Sequence, residues 1–206
     1  MSNQAPANIV VAPYEVYYAA VGTAFPAFNA TPSGSWKLLG TSGKLDQTDG
    51  GVTIAQNQSI DTIRGQGTAI RKAVRTEEGA TISVEIMDTT LESEALSLGL
   101  DPATDIATVA PATGVPGTKA INFDRGPDIK YVALLIRGHS PYSTNASAFK
   151  QYEFPKVFQN GSAQPVYSKT GPATLAFEFV QVAGPAATST NQDLGRCISY
   201  SADALP

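Results

Sequence analysis

Strict alternation of apolar and polar residues restricts the fold of this chain more than any other feature. In GATISVEIM, residues 79–87, Ile82, Val84 and Ile86 fall on one side and Thr81, Ser83 and Glu85 on the other, the period-two pattern of a strand with one buried face. The segments at 14–21, 36–41, 51–55, 150–158 and 173–182 read as strands in the same way; in the last, Leu175, Phe177 and Phe179 oppose Thr174 and Glu178. The segment at 130–137 is different. There Val132, Leu134 and Ile136 alternate with Tyr131, Ala133 and Leu135, which predicts a strand covered on both faces. Gly- and Pro-rich connections separate these segments, and Asp49-Gly50-Gly51 is a tight-turn signal. The expectation is a mainly β chain of sandwich or barrel type, forming a single domain over its 206 residues.

One segment reads as a helix. Thr89 is followed three residues later by Glu92, a capping box, and Leu91, Ala95 and Leu98 keep the spacing of one apolar face. Gly99 supplies the stop, with Asp101-Pro102 beyond it, so the helix is expected over about 89–98. Three stretches read as irregular: an N-terminal arm over 1–12, a polar loop over 56–76, and a surface loop over 101–128 rich in Pro, Gly, Ala and Thr. No repeat of solenoid or propeller period is present.

Charge is unevenly distributed around the helix. Arg64, Arg71, Lys72 and Arg75 fall in a stretch without acids; Glu77, Glu78, Glu85, Asp88, Glu92, Glu94, Asp101 and Asp105 then follow with no base between them. A contact between different surfaces of identical subunits needs both signs, and this division supplies them. Arg64, Arg71, Lys72 and Arg75 are therefore expected to meet acids among Glu77, Glu78, Asp88, Glu92 and Glu94 of a neighbouring copy; two solvated patches are the competing reading.

Composition narrows the classes of function. Charged residues make up 16% of the chain against about 25% in an average protein, so copies repel one another little. The formal net charge of −4 argues against a dominant basic face for nucleic acid or an anionic membrane. The N-terminus has no Lys or Arg to begin a signal peptide, Pro13 and Glu15 interrupt its apolar stretch, and no apolar run reaches transmembrane length. A protein kept in the cytoplasm or released by lysis is expected. Asn29, Asn57, Asn145 and Asn160 begin glycosylation sequons, which carry no meaning without secretion. Cys197 is the only cysteine and His139 the only histidine, leaving no disulfide, zinc set or histidine cluster.

Gly65-Gln66-Gly67 lacks the third glycine of a dinucleotide fingerprint, where Ile70 stands. LDQTDGG at 45–51 lacks the closing Glu of a calcium loop. Glu77 with Glu78, or Glu92 with Glu94, pair carboxylates without the aromatic cleft that a glycosidase needs, and Trp36 is a core candidate. Neither cofactor nor metal is expected.

The run WKLLGTSGKLDQTDGGVTIAQNQSI, then DTIRGQGTAIRKAVRTEE, then GATISVEIMDTTLESEALSLGL resembles the N-terminal half of major tail tube proteins of long-tailed, siphovirus-like bacteriophages. Trp36 to Gly40, Asp49 to Val52 and Ile82 to Leu96 carry the motifs, and KYVALLIRG, YEFPKVFQN and PATLAFEFVQV look like later strands of the same family. The resemblance implies a tail tube fold in which two packed sheets flank a helix. It implies six copies closing into a ring whose inner sheets form one barrel, and rings stacked head to tail into a hollow tube through which DNA leaves the capsid. It further implies a structural virion protein rather than an enzyme, made in the host bacterial cytoplasm, with tail tip or initiator, tape measure and terminator proteins as partners and only transient contact with DNA. Within that frame 56–76 is the inter-ring loop. Thr81, Ser83, Glu85, Thr174 and Glu178 line the lumen, and the charged residues named above form the ring interface. Two other functions compete: a carbohydrate-binding or adhesive virion sandwich using Tyr14, Tyr17 and Tyr18, and a small hydrolase using His139 with Cys197 or a serine.

Overall fold

A computed structural model describes residues 13–27, 30–140, 149–184 and 193–199; the N-terminal arm over 1–12 lies outside the described residues. The strands are β1 (Glu15–Ala20), β2 (Lys37–Leu38), β3 (Gln47–Arg64), β4 (Ile70–Ile86), β5 (Ile106–Val109), β6 (Thr118–Ile121), β7 (Val132–His139), β8 (Phe149–Gln159), β9 (Leu175–Gln181) and β10 (Arg196–Ser199), with one α-helix, α1 (Leu91–Ser97). An antiparallel sheet runs in the order β2-β1-β7-β8-β9-β4-β3, with β10 also paired to β8, and β5 pairs with β6 separately.

The long strand β8 turns this sheet over on itself. Its residues 150–153 hold β10 while Val157–Gln159 hold β9, so the two ends of the strand belong to different layers. Val16, Leu134 and Ile136 from the β1–β7 side therefore share one core with Ile82, Val84, Ile86, Leu175, Phe177 and Phe179 from the β4–β9 side, and Leu96 of α1 closes it. The result is a mainly β fold of sandwich type. The Phe177 and Phe179 rings stack at 5.7 Å between centroids, and each large apolar side chain buried here contributes about 1.5–3 kcal/mol.

The apolar alternate face of β7 has a separate explanation. Ala133 and Leu135 pack with Ala19 and Trp36 in a second cluster on the opposite side of the sheet, and the Trp36 indole donates to the Ala24 carbonyl at 3.0 Å. Both faces of β7 are covered, as its sequence implied.

The helix is capped one residue later than expected. Thr90, not Thr89, is the N-cap, and its hydroxyl accepts from the Ser93 amide. Asp88 fixes the approach by accepting from the Thr90 amide at 2.9 Å. Glu92 is drawn away to Lys119. The stop is as read: Gly99 takes φ +74°, and the Gly99 and Leu100 amides donate to the Leu96 and Ala95 carbonyls, the Schellman pattern that leaves a left-handed residue for glycine.

Two loop expectations are overturned. Within the expected surface loop over 101–128, β5 and β6 form a hairpin. Residues 56–76, expected as a polar loop, form most of a two-stranded ribbon: β3 and β4 stay paired from Ala55↔Thr81 out to Arg64↔Ile70, whereas β4 meets β9 only over Thr81–Ile86. At about 3.3 Å per residue the ribbon extends roughly 30 Å past the body. Asp49-Gly50-Gly51 is likewise not a hairpin turn. It lies inside β3, where Gly51 takes φ +59° at a register shift between Gln47 and Val52, a bulge that bends the strand.

Candidate functional site

The ribbon carries the basic group. Cross-strand pairing sets Asp61 and Ile63 beside Val74 and Lys72 on one face, and Ile60 and Thr62 beside Arg75 and Ala73 on the other. Aliphatic side chains therefore stand open on both faces: Ile60 is 50%, Ile63 56%, Ile70 52% and Val74 39% exposed. A ribbon of two strands has no layer of its own to cover them. Arg75 pairs with Glu78 at 2.9 Å, the Ser59 hydroxyl donates to Glu77 at 3.2 Å, and Arg64 donates to the Thr68 carbonyl at 3.3 Å. Arg71 and Lys72 have no ion-pair partner among the described residues.

The acids divide into two groups. Glu77 and Glu78 lie on the ribbon among the bases, while Asp88, Glu92 and Glu94 lie at the other end of β4. Asp88 accepts from the Thr41 amide at 2.7 Å and the Thr41 hydroxyl at 3.0 Å. Lys119 on β6 hydrogen-bonds Glu92 and holds its carboxyl below the ordinary range. Glu94 accepts from the Tyr167 hydroxyl at 2.9 Å. Part of the acidic group is thus used within the chain, a division of labour that spacing alone did not reveal.

The polar side of the β3–β4–β9 layer is as the alternation required. Ser83 stands beside Glu178, Thr81 beside Val180 and Glu85 beside Ala176, while Ile82, Val84 and Ile86 face the core. Thr174 lies just before β9, bridged to Val166. Sequence reasoning omitted the contributions of other segments to this face. Thr48 donates to Glu85 at 3.3 Å, Asn57 to Thr81 at 3.1 Å and Asn160 to Glu178 at 3.1 Å. Thr53, opposite Ser83, was legible in the alternation of 51–55. The face is lined mainly by small hydroxyl, amide and carboxylate groups.

No protein-family model matches this sequence. No curated protein matches it either. No helix among the described residues is long and apolar enough to cross a membrane.

The residues of the competing readings are placed as follows. Register sets Cys197 beside Tyr152 and Ile136, but His139 beside Phe149; the two lie on opposite faces of the sheet and form no dyad. The Tyr14 hydroxyl donates to the His139 carbonyl at 3.2 Å, and its ring lies 6.4 Å from that of Tyr152. Tyr17 donates to Glu15 at 2.6 Å, and burial together with that carboxylate pushes its hydroxyl up to about 12. Tyr18 is half-buried against the main core. Tyr14 and Tyr18 pack against the main core and Tyr17 against the second cluster, so they lie on opposite faces of the sheet.

Proposed function

We propose that this chain is the repeating subunit of a hollow protein tube, the major tail tube protein of a long-tailed bacteriophage. Six copies close into a ring, and rings stack into a conduit for DNA. The observation that carries this reading is the β3–β4 ribbon. Two strands alone are marginal in water, and this pair leaves aliphatic residues open on both faces together with unpaired bases, which suits an element completed by another subunit. A heterologous contact of this kind either closes into a ring or continues as a stack.

Two further observations support it. The layer at the base of the ribbon turns a face of Thr81, Ser83, Glu85 and Glu178 away from the core, a surface that solvates well and, being acidic, releases phosphate. The residues that carry the sequence resemblance, Trp36 to Leu100, build the ribbon, the β3 and β4 strands of this layer and the helix beside it. The tube subunit would reside in the virion, with tip, tape measure and terminator proteins at its ends.

Sedimentation and negative-stain microscopy of the purified chain at rising concentration, with and without a nucleating tail component, test the reading. Rings or tubes with a central hole wide enough for duplex DNA are expected. A monomer under every condition, with the parent virion's tube built from another protein, overturns it.

A further inference from the structure

The strand β4 has two very different ends. One is the exposed ribbon tip at Ile70. The other, at the far end of this 17-residue strand and therefore about 55 Å away at strand rise, leads through Asp88 into α1. Beside that second end lies an open groove of about 330 Å³. Its apolar lining comes from Tyr18, Leu38, Leu39 and Leu96, and Thr41 and Glu92 stand at its polar side. An engineered cavity of about 150 Å³ accommodates benzene, so this groove has room for a pair of aliphatic side chains.

Charged groups of both signs surround the groove, and the Asp46 carboxylate stands beside its Gly40 rim with Lys44 on the same turn. Asp88 and Glu92 flank the start of α1, and Asp101 follows its end. Lys37 on β2 lines the groove, and Lys119 on β6 is already paired with Glu92. The balance is acidic. The Tyr18 hydroxyl holds its proton more tightly than usual, first because it is buried and then because Glu92 and Asp101 are near. The hydrogen bonds from Thr41 to Asp88 and from the Thr90 amide to the same carboxylate brace the groove's polar side, so the recess is built before anything enters it.

We propose that the ribbon tip of one copy docks into this groove on the next copy, with Ile63 and Val74 against Tyr18, Leu38 and Leu96, and Lys72 directed at Glu92 and Asp88. The proposal rests on the tube reading and gives its ring-to-ring contact an address. Three features of the single chain select a second copy as the occupant. The basic, aliphatic tip is complementary to the acidic, apolar recess. Tip and recess lie at opposite ends of one strand, as a contact repeated by translation requires. Among the described residues, neither is covered by its own chain, and the repeat supplies both covers at once.

Cross-linking between tagged copies tests the address. In a Cys197→Ser background, one preparation carries Ile63→Cys and a second carries Thr41→Cys; both sites are on the surface of the unassembled subunit. The two are mixed under conditions in which the unsubstituted protein assembles, and then oxidised. The expected result is a disulfide-linked dimer in the mixture and not in either preparation alone. A chain carrying both substitutions should give a ladder of higher multimers. A second variant, Ile63→Asp, should keep the monomer's far-ultraviolet circular dichroism and lose stacking. Tubes that form normally while sites 63 and 41 never link, or that form equally well from Ile63→Asp, overturn the groove assignment and leave the tube reading standing. An unsubstituted protein that never assembles is a separate result, and it removes the tube reading and the groove together.

Discussion

Arg137 is 5% exposed, an unusual place for a guanidinium, and its surroundings explain how it is tolerated. Its Nε donates to Gln151 Oε1 at 2.9 Å and its Nη1 to the Ala30 carbonyl at 2.6 Å, with a longer bond to the Ala27 carbonyl. Gln151 in turn donates to Glu153, whose other oxygen accepts from Arg196 on β10. One chain of hydrogen bonds thus ties the connection after β1 and the short strand β10 to the β7–β8 pair. A planar fork is needed to reach Gln151 and both carbonyls at once, and an ammonium group cannot reproduce it. Arg137→Lys is expected to lower stability by about 1–3 kcal/mol, read as a shift of the urea midpoint, and to speed amide exchange selectively in residues 30–36 and 196–199. A midpoint unchanged from the parent protein would contradict this role. Nothing in KYVALLIRG announced the network. Arg137 stands at the end of an apolar run, where a solvated strand end is the natural reading, and its burial depends on β10 and on the carbonyls of Ala27 and Ala30, which are distant in sequence.

At the scale of elements, the sequence was most legible where a strand has one face on the core and one in water. Ile82, Val84 and Ile86, and Leu175, Phe177 and Phe179, alternate because only one side of their layer is buried, and both strands lie where the alternation put them. Past Gly79 the same strand loses the pattern. The ribbon has no core on either face, and register shifts after Ser59 and Ile63 break the period, so residues 56–76 looked irregular although they are paired. An open ribbon predicts its own dynamics. In the free subunit, amides of residues 58–78 should exchange quickly despite their ladder, because no packed layer protects them. They should slow on assembly, and equal exchange in the two states would count against a docking role. The β5–β6 hairpin carries a second prediction. Lys119 stabilises the ionised form of Glu92, so the folded carboxyl gives up its proton at lower pH than the unfolded one, whose ordinary value is 4.5. The resulting stability is present above that value and is lost as pH falls through the lower folded one. Both side chains are about half exposed, so the effect is only about 0.2–1 kcal/mol. Lys119→Met should remove it, and the difference in thermal midpoint between parent and variant should shrink below pH 4.5.

For the whole molecule, the uneven charge takes on a direction that spacing alone could not give it. The sequence set a basic stretch immediately before an acidic one; the fold carries Arg64, Arg71 and Lys72 out to the tip of the ribbon and leaves Asp88, Glu92 and Glu94 at the far end of β4. Arg75 and Glu78 satisfy each other within the chain, and Glu92 is shared with Lys119, so the free basic charge available to a neighbour is smaller than a residue count implies and is concentrated at Arg64, Arg71 and Lys72. This matters more for the rate of assembly than for its final strength. An exposed pair contributes about 0.2–1 kcal/mol, but opposite charges at opposite ends orient an incoming subunit before contact. Assembly should therefore slow as added salt shortens the screening length from about 10 Å at 0.1 M to about 3 Å at 1 M, while the apolar contacts of Ile63 and Val74 persist. Arg71→Glu with Lys72→Glu should suppress stacking and leave the monomer's stability within about 0.5 kcal/mol of the parent, since both sites are exposed. Adding Asp88→Lys would break three hydrogen bonds from Thr41 and Thr90, whereas Glu92 and Glu94 each give up one exposed partner, Lys119 and Tyr167, so the compensating change belongs at Glu92 and Glu94. Glu92→Lys with Glu94→Lys in the same chain should restore part of the lost rate. Light scattering across a salt series follows all three proteins. A parent rate indifferent to salt, together with normal tubes from the doubly reversed ribbon, would show that these charges are only solvated and that the aliphatic tip docks without steering.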